Sequence, residues 1–146
     1  LMYRQDVDFL RNYKFDNRTQ SRNLLICRKD SKSRHILNFD ELSLHLQEHN
    51  FVPVILSNYS LKKQISLFSS ADIVVGMHGA GLSNVVFSNS YVIEIMPKNK
   101  VRHHFAYLSE LMGLQYDVVF VEPEFAANVY APVQTVIGLI QNHKNT

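Results

Sequence analysis

The sequence has a single cysteine, Cys27, no tryptophan, and a formal net charge of only +2 over 146 residues. One cysteine excludes an intrachain disulfide and a cysteine-based metal cluster. The small net charge gives no electrostatic reason to expect nucleic acid as a partner. Every apolar run is far shorter than the roughly 20 residues that cross a bilayer, so we expect no transmembrane segment. The 46% of hydrophobic and 19% of charged residues are typical of a globular domain.

Short apolar runs alternate with helical patterns along most of the chain. Asn38 and Ser60 are residue types that begin helices, and Gly113 is one that ends them. We predict strands at 24–27, 51–56, 73–75, 91–95 and 118–121, and helices at 38–49, 60–68, 82–87, 104–112 and from 132 onward.

This alternation predicts an α/β domain, because strands joined by helical crossovers form parallel sheets. We expect a Rossmann-like, mainly parallel sheet of five or more strands with helices on both faces. Residues 1–22 are predicted to be a linker or a lead-in helix, and residues 23–146 the domain. Ligands of such sheets bind beyond the carboxyl ends of the strands, so those ends carry the candidate site.

A glycine-rich turn directly follows the third predicted strand. Glycines allow a tight turn and a close approach to a ligand, and a helix start attracts anions. His78, Ser83 and Asn84 add hydrogen-bond donors, so the turn indicates a phosphate site. The alternative is a plain strand-to-helix turn. The turn matches neither the G-x-G-x-x-G fingerprint nor a P-loop, which counts against a dinucleotide-dependent oxidoreductase. The segment reads Gly76-Met77-His78-Gly79-Ala80-Gly81-Leu82-Ser83-Asn84.

A basic run leaves the first predicted strand, and Arg28 and Arg34 lie at its two ends. Guanidinium groups form forked hydrogen bonds with phosphate. By itself such a run is usually a solvated loop. The first and third strands are expected to be neighbours, however, which would place the arginines and the glycine turn around one crevice.

Glu94 lies near the end of an apolar strand, where it could accept hydrogen bonds from a ribose or sugar hydroxyl or pair with a nearby cation. His103 and His104 are predicted to be surface residues, although one of them could reach the crevice. We expect no metal site, because the sequence has no H-x-x-x-H, C-x-x-C or Asp-x-Asp element.

Three segments together resemble glycosyltransferase family 61. Residues 28–38 are similar to the start of that family's nucleotide-binding domain. Residues 69–84, which contain the His-Gly-Ala-Gly-Leu-Ser-Asn sequence, resemble its central signature, and residues 92–97 resemble its next strand. The likeness covers roughly residues 20–122.

The resemblance implies the donor-binding, C-terminal half of an inverting GT-B enzyme that uses a nucleoside diphosphate sugar, mostly a uridine diphosphate sugar, without a metal or other cofactor. The nucleotide and its phosphates would be held by Arg28, Arg34, His78, Gly79, Gly81 and Asn84, with Ser83 and Glu94 beside them.

The expected partners are a nucleotide-sugar donor, a glycan acceptor and the N-terminal half of the same protein, which would supply the general base. The chain begins at Leu1, so we expect an excerpt from a longer protein that is inactive in transfer by itself. A bacterial relative would be cytoplasmic and a eukaryotic one would act in the secretory lumen. The alternative function is a stand-alone nucleotide-binding or regulatory module.

Overall fold

One all-parallel sheet organises the computed structural model, which describes residues 3–12 and 21–146. Its five strands lie in the order β2-β1-β3-β4-β5. Both faces are covered by helices, which confirms the predicted Rossmann-like α/β fold. The strands are β1 (Asn23–Ile26), β2 (Phe51–Val54), β3 (Ile73–Met77), β4 (Tyr91–Pro97) and β5 (Tyr116–Val121).

Two apolar clusters hold the helices against the sheet, because alternate residues of each strand point to opposite faces. Leu25 of β1 packs with the helices α2 and α5, whereas Leu24 and Ile26 pack with α1, α3 and α4. No helix among the described residues is long and apolar enough to span a bilayer. The helices are α1 (Arg4–Arg11), α2 (Phe39–Gln47), α3 (Leu61–Ser70), α4 (His104–Met112) and α5 (Val133–Lys144).

The strand order reverses direction between β1 and β3. From β1 the chain crosses to β2 on one side, and the later strands β3, β4 and β5 follow on the other. Such a reversal leaves a crevice beyond the carboxyl ends of the two central strands. Residues that immediately follow β1 and β3 therefore flank the crevice, and these are the arginine run and the glycine turn.

Of the three residues that the sequence predicts at helix ends, Ser60 and Gly113 are confirmed and Asn38 has a different role. The Ser60 hydroxyl accepts from the Lys63 N–H at 3.2 Å and caps α3. Gly113 ends α4 with a φ of +67°, in the left-handed region that favours glycine. Asn38 makes no capping bond to α2. Its amide instead exchanges hydrogen bonds with the backbone of Ala131, at 2.7 and 3.0 Å, and so fastens the start of α2 to a distant loop.

The segment after the glycine turn differs from the prediction. A 3₁₀ helix spans Ala80–Phe87, where the sequence predicted an ordinary short helix from residue 82. At the amino end of the chain, α1 lies on the domain: Val7 is buried in its apolar cluster, and the Arg11 guanidinium donates to the Met112 carbonyl at 2.8 Å. Of the predicted linker or lead-in helix, residues 13–20 lie outside the described residues.

Candidate functional site

A crevice of about 940 Å³ opens at the carboxyl edge of the sheet. One wall comes from the glycine turn and the other from α4, with Phe105, Tyr107, Leu108 and Leu111 forming an apolar face. Among the described residues that line the crevice, none is aspartate or glutamate. Its basic side chains are Arg34, His78, Lys100, Arg102, His103 and His104. The crevice is therefore a cationic pocket with one aromatic and aliphatic side, which suits an anion that carries a planar group.

Arg28 lies against the glycine turn, where the absence of a side chain at Gly79 makes room for it. A Cβ at Gly79 would lie only 1.5 Å from Arg28 Nη1 and 2.5 Å from its Cζ. Ser31 holds the other side of the guanidinium by accepting from Nη2 at 2.8 Å. The Arg28 Nε is buried and has no hydrogen-bond partner among the described residues. The guanidinium is thus fixed beside the turn with unused donor capacity.

Arg34 lines the crevice from a left-handed backbone conformation with a φ of +61°. This conformation costs a non-glycine residue roughly 1–2 kcal/mol. Burial lowers the pKa of Arg28, and the charge of Arg34 lowers it further. Two mutually repelling guanidiniums at the switch point favour binding of an anion between or beside them.

His78, Glu94 and Tyr116 form a buried hydrogen-bonded chain behind the crevice. Nδ1 of His78 bonds with one carboxyl oxygen of Glu94, whose other oxygen accepts from the Tyr116 hydroxyl at 2.5 Å. Glu94 is 0% exposed and His78 is 5% exposed. His78 also lies near the rings of His104 and Phe105, with centroids 5.8 and 5.1 Å away.

The pKa values of this chain are shifted by burial and by the surrounding cations. Burial lowers the pKa of His78 to about 4, and Arg34 is the strongest of the nearby charges that add to the effect. Burial raises the pKa of Glu94 to about 7, against the hydrogen bond from Tyr116, which lowers it. His78 is therefore neutral near pH 7, and its pair with Glu94 gains or loses a proton close to that pH.

The structure brings some of the predicted site residues together and separates others. Arg34, His78, Gly79 and Ser83 line the main crevice. Arg28 and Gly81 line a smaller adjoining cleft of about 300 Å³, with Ala80 common to both.

Three predicted contacts differ from the geometry observed. A side chain at Gly81 would point into the apolar core, 3.1 Å from Leu56 Cδ1, instead of toward a ligand. Asn84 donates to the Gln64 side chain at 2.8 Å and faces away from the crevice lining. Glu94 has both oxygens occupied within the protein, which leaves it no place against a ribose hydroxyl.

Sequence reasoning missed Lys100, Arg102, Tyr107 and Tyr116. The first two follow the carboxyl end of β4, so the rule that selected Arg28 at the end of β1 could have selected them too. Tyr107 carries no comparable signal, because an exposed aromatic on a helix is common. His103 and His104 are exposed, as predicted, and both of them also line the crevice.

The fold is a doubly wound, all-parallel α/β sheet with a crevice of basic side chains at its carboxyl edge. Residues 2–101 match the family model described as Glycosyltransferase 61. The chain belongs to that family.

The chain is also similar to curated glycosyltransferases. It is 34% identical over 102 residues to alpha-1,3-arabinosyltransferase XAT3 of Oryza sativa subsp. japonica, covering 63% of this chain and 18% of that protein. It is 33% identical over 69 residues to beta-1,2-xylosyltransferase of Arabidopsis thaliana, covering 46% and 13%. It is 32% identical over 95 residues to the EGF domain-specific O-linked N-acetylglucosamine transferase of Xenopus laevis, covering 60% and 18%. The matched part thus spans less than a fifth of these relatives' own lengths.

Proposed function

We propose that this chain is the donor-binding half of an inverting GT-B glycosyltransferase, and that its crevice holds the diphosphate of a nucleoside diphosphate sugar. The observation that carries the proposal is the concentration of basic side chains at the carboxyl edge of the sheet, where such sheets bind ligands. Arg34 follows β1, His78 follows β3, and the other four follow β4. Membership of glycosyltransferase family 61 supports it independently. A uridine diphosphate sugar is the proposed donor, and a glycan the proposed acceptor.

The chemistry requires stabilisation of a departing diphosphate. The acceptor hydroxyl attacks the anomeric carbon, the bond from that carbon to the phosphate oxygen breaks, and negative charge collects on the diphosphate. Arg28, which Ser31 holds beside the turn, and Arg34 supply positive charge near this position, and such charge lowers the barrier. The base that removes the acceptor proton would come from the other half of the protein, which is why we expect no transfer by this chain alone.

We propose further that donor binding needs no divalent metal. The basic side chains of the crevice can neutralise a diphosphate directly. Among the described residues, no group of three or more His, Cys, Asp or Glu side chains is arranged to hold a metal ion. Titration with uridine diphosphate in magnesium and in chelator should give the same affinity, and a collapse in chelator would contradict the proposal.

Arg34→Gly tests the proposed function sharply, because it removes the guanidinium and also relieves the left-handed backbone. Loss of a charged hydrogen bond costs about 1.5–3 kcal/mol, which is about 10–150-fold in affinity. We expect weaker binding of uridine diphosphate without loss of thermal stability.

The matched control is Lys32→Ala, which removes a charge from the same exposed loop outside the crevice lining. It should change affinity little. Equal effects of the two substitutions on affinity would mean that the loop acts only through its net charge. Absence of nucleotide binding in the unaltered chain would refute the proposal.

A further inference from the structure

A carboxyl–imidazole pair is buried directly behind the crevice. Glu94 engages Nδ1 of His78 with one oxygen and accepts from Tyr116 with the other. Among the described residues, the hydrogen bond of the His78 ring is made through Nδ1, and the residue lines the crevice. The imidazole is thus fixed along one edge and has its other nitrogen available to a ligand.

The number of protons on this pair determines what Nε2 can do. With one extra proton, located on either Glu94 or Nδ1, the ring hydrogen of His78 lies on Nε2, which then donates. Without that proton the ring hydrogen lies on Nδ1 and faces the carboxylate, so Nε2 offers a lone pair. Phosphate oxygens accept hydrogen bonds and are repelled by a lone pair. The two states of the pair therefore have opposite effects on a diphosphate.

We propose that Glu94 and Tyr116 are positioning residues that let the pair take up one proton when a diphosphate enters the crevice, so that Nε2 of His78 donates to a phosphate oxygen. Neither Glu94 nor Tyr116 touches the ligand in this arrangement. The proposal rests on the proposed function, because it takes the ligand to be a diphosphate.

The charges around the pair explain why uptake accompanies binding. Arg28 and Arg34 face His78 from the loop after β1, and Arg102, His103 and His104 face the pair from the start of α4. These groups oppose an additional proton in the empty crevice. A diphosphate cancels their field, and burial already favours the protonated carboxyl of Glu94. Tyr116, from β5, stabilises the carboxylate of the empty state and limits how readily the proton is held.

Calorimetric titration with uridine diphosphate measures the uptake directly, using buffers of different ionisation enthalpy near pH 8, above the pair's pKa. We expect up to about one proton per nucleotide, and affinity that falls by as much as about tenfold per pH unit above neutrality. Glu94→Gln should abolish the uptake, because the amide can donate to Nδ1 and the neutral ring then carries its hydrogen on Nε2 without an added proton. Tyr116→Phe should raise the pH at which the uptake occurs.

Tyr91→Phe is the matched control, since the Tyr91 hydroxyl donates to the Asp117 carboxylate at 2.8 Å, at the start of β4. It removes an equivalent tyrosine–carboxylate bond away from the crevice and should leave the uptake unchanged.

Nitrogen NMR of the His78 ring reports its protonation state directly. If Glu94 and Tyr116 had only a structural role, nucleotide binding would not change this signal. On binding near pH 8, Nε2 should change from the unprotonated to the protonated type. Nucleotide binding without proton uptake, or unchanged uptake in Glu94→Gln, would overturn this inference alone. Absence of binding in the unaltered chain would remove the proposed function as well. If Glu94→Gln fails to fold, the NMR experiment on the unaltered chain decides.

Discussion

Replacing Gly79 with alanine is expected to displace Arg28 while leaving the fold intact. The new Cβ would lie 1.5 Å from Arg28 Nη1, so the guanidinium must move. The φ of Gly79 is 166°, which is extended backbone that alanine adopts without strain. Since the clashing atoms are the far end of a flexible side chain, the cost falls on the position of the charge and not on the core.

The loss of affinity should equal that of removing Arg28 itself. Charged hydrogen bonds are worth about 1.5–3 kcal/mol, so Gly79→Ala and Arg28→Ala should each weaken uridine diphosphate binding by about 10–150-fold. The double variant should bind no more weakly than Arg28→Ala alone, because both substitutions remove one interaction. Titration calorimetry measures the affinities, and thermal unfolding without ligand checks the fold.

Gly138→Ala is the matched control, because a Cβ there meets no atom within 4 Å. It should leave binding unchanged and stabilise α5, since alanine is favoured over glycine in a helix. Wild-type affinity in Gly79→Ala, or additive effects in the double variant, would refute the assignment of Arg28 to the phosphates. Unfolding of Gly79→Ala would show that the Arg28 guanidinium cannot move aside to make room for the new Cβ.

Four further outcomes are expected. Gly81→Val should lower the melting temperature, because a side chain there meets Leu56, and overpacking costs about 1–3 kcal/mol; an unchanged melting temperature would contradict this orientation. Glu94→Gln should be more stabilising near pH 8 than near pH 5, because the stability that Glu94 contributes through its raised pKa is present below pH 4.5 and is lost as the pH rises through about 7. The pKa of His78 is lowered, so the stability that His78 contributes is present above pH 6.5 and is lost as the pH falls through about 4. An NMR titration of the His78 ring checks this expectation. Ser60→Ala should cost about 1 kcal/mol in unfolding experiments by removing a helix cap, and a loss of nucleotide affinity would be unexpected.

The fold could be predicted from the sequence because a parallel sheet buried on both faces leaves a simple pattern. Every residue of β1, β3 and β4 is buried, and each strand appears as a short, mostly apolar run, interrupted only by Asn23 in β1 and Glu94 in β4. The ends of the strands were harder to predict, in buried and less buried strands alike. β3 and β4 each extend two residues past their predicted ends, to Met77 and Pro97. β2 ends at Val54 instead of residue 56, and β5 begins at Tyr116, two residues before its predicted start.

The location of the site could be predicted, but the direction of individual side chains could not. The glycine turn leads into a 3₁₀ helix with about 3.0 residues per turn, whereas the prediction assumed the about 3.6 of an α-helix. That difference changes which residues share a face. Gly81 therefore faces the core and Asn84 faces Gln64. The partnership of Glu94 with Tyr116 depends on strand register, which local sequence does not reveal.

The two walls of the crevice come from parts of the chain with different relations to the family. Arg34 and the glycine turn lie within the residues that match the family model, whereas the α4 wall with Tyr107 begins just beyond residue 101. The basic side chains come from both parts, because Arg102, His103 and His104 also lie beyond residue 101. Substitution of Tyr107 or Leu111 would therefore change the apolar face of the crevice and leave Arg34 and the glycine turn as they are.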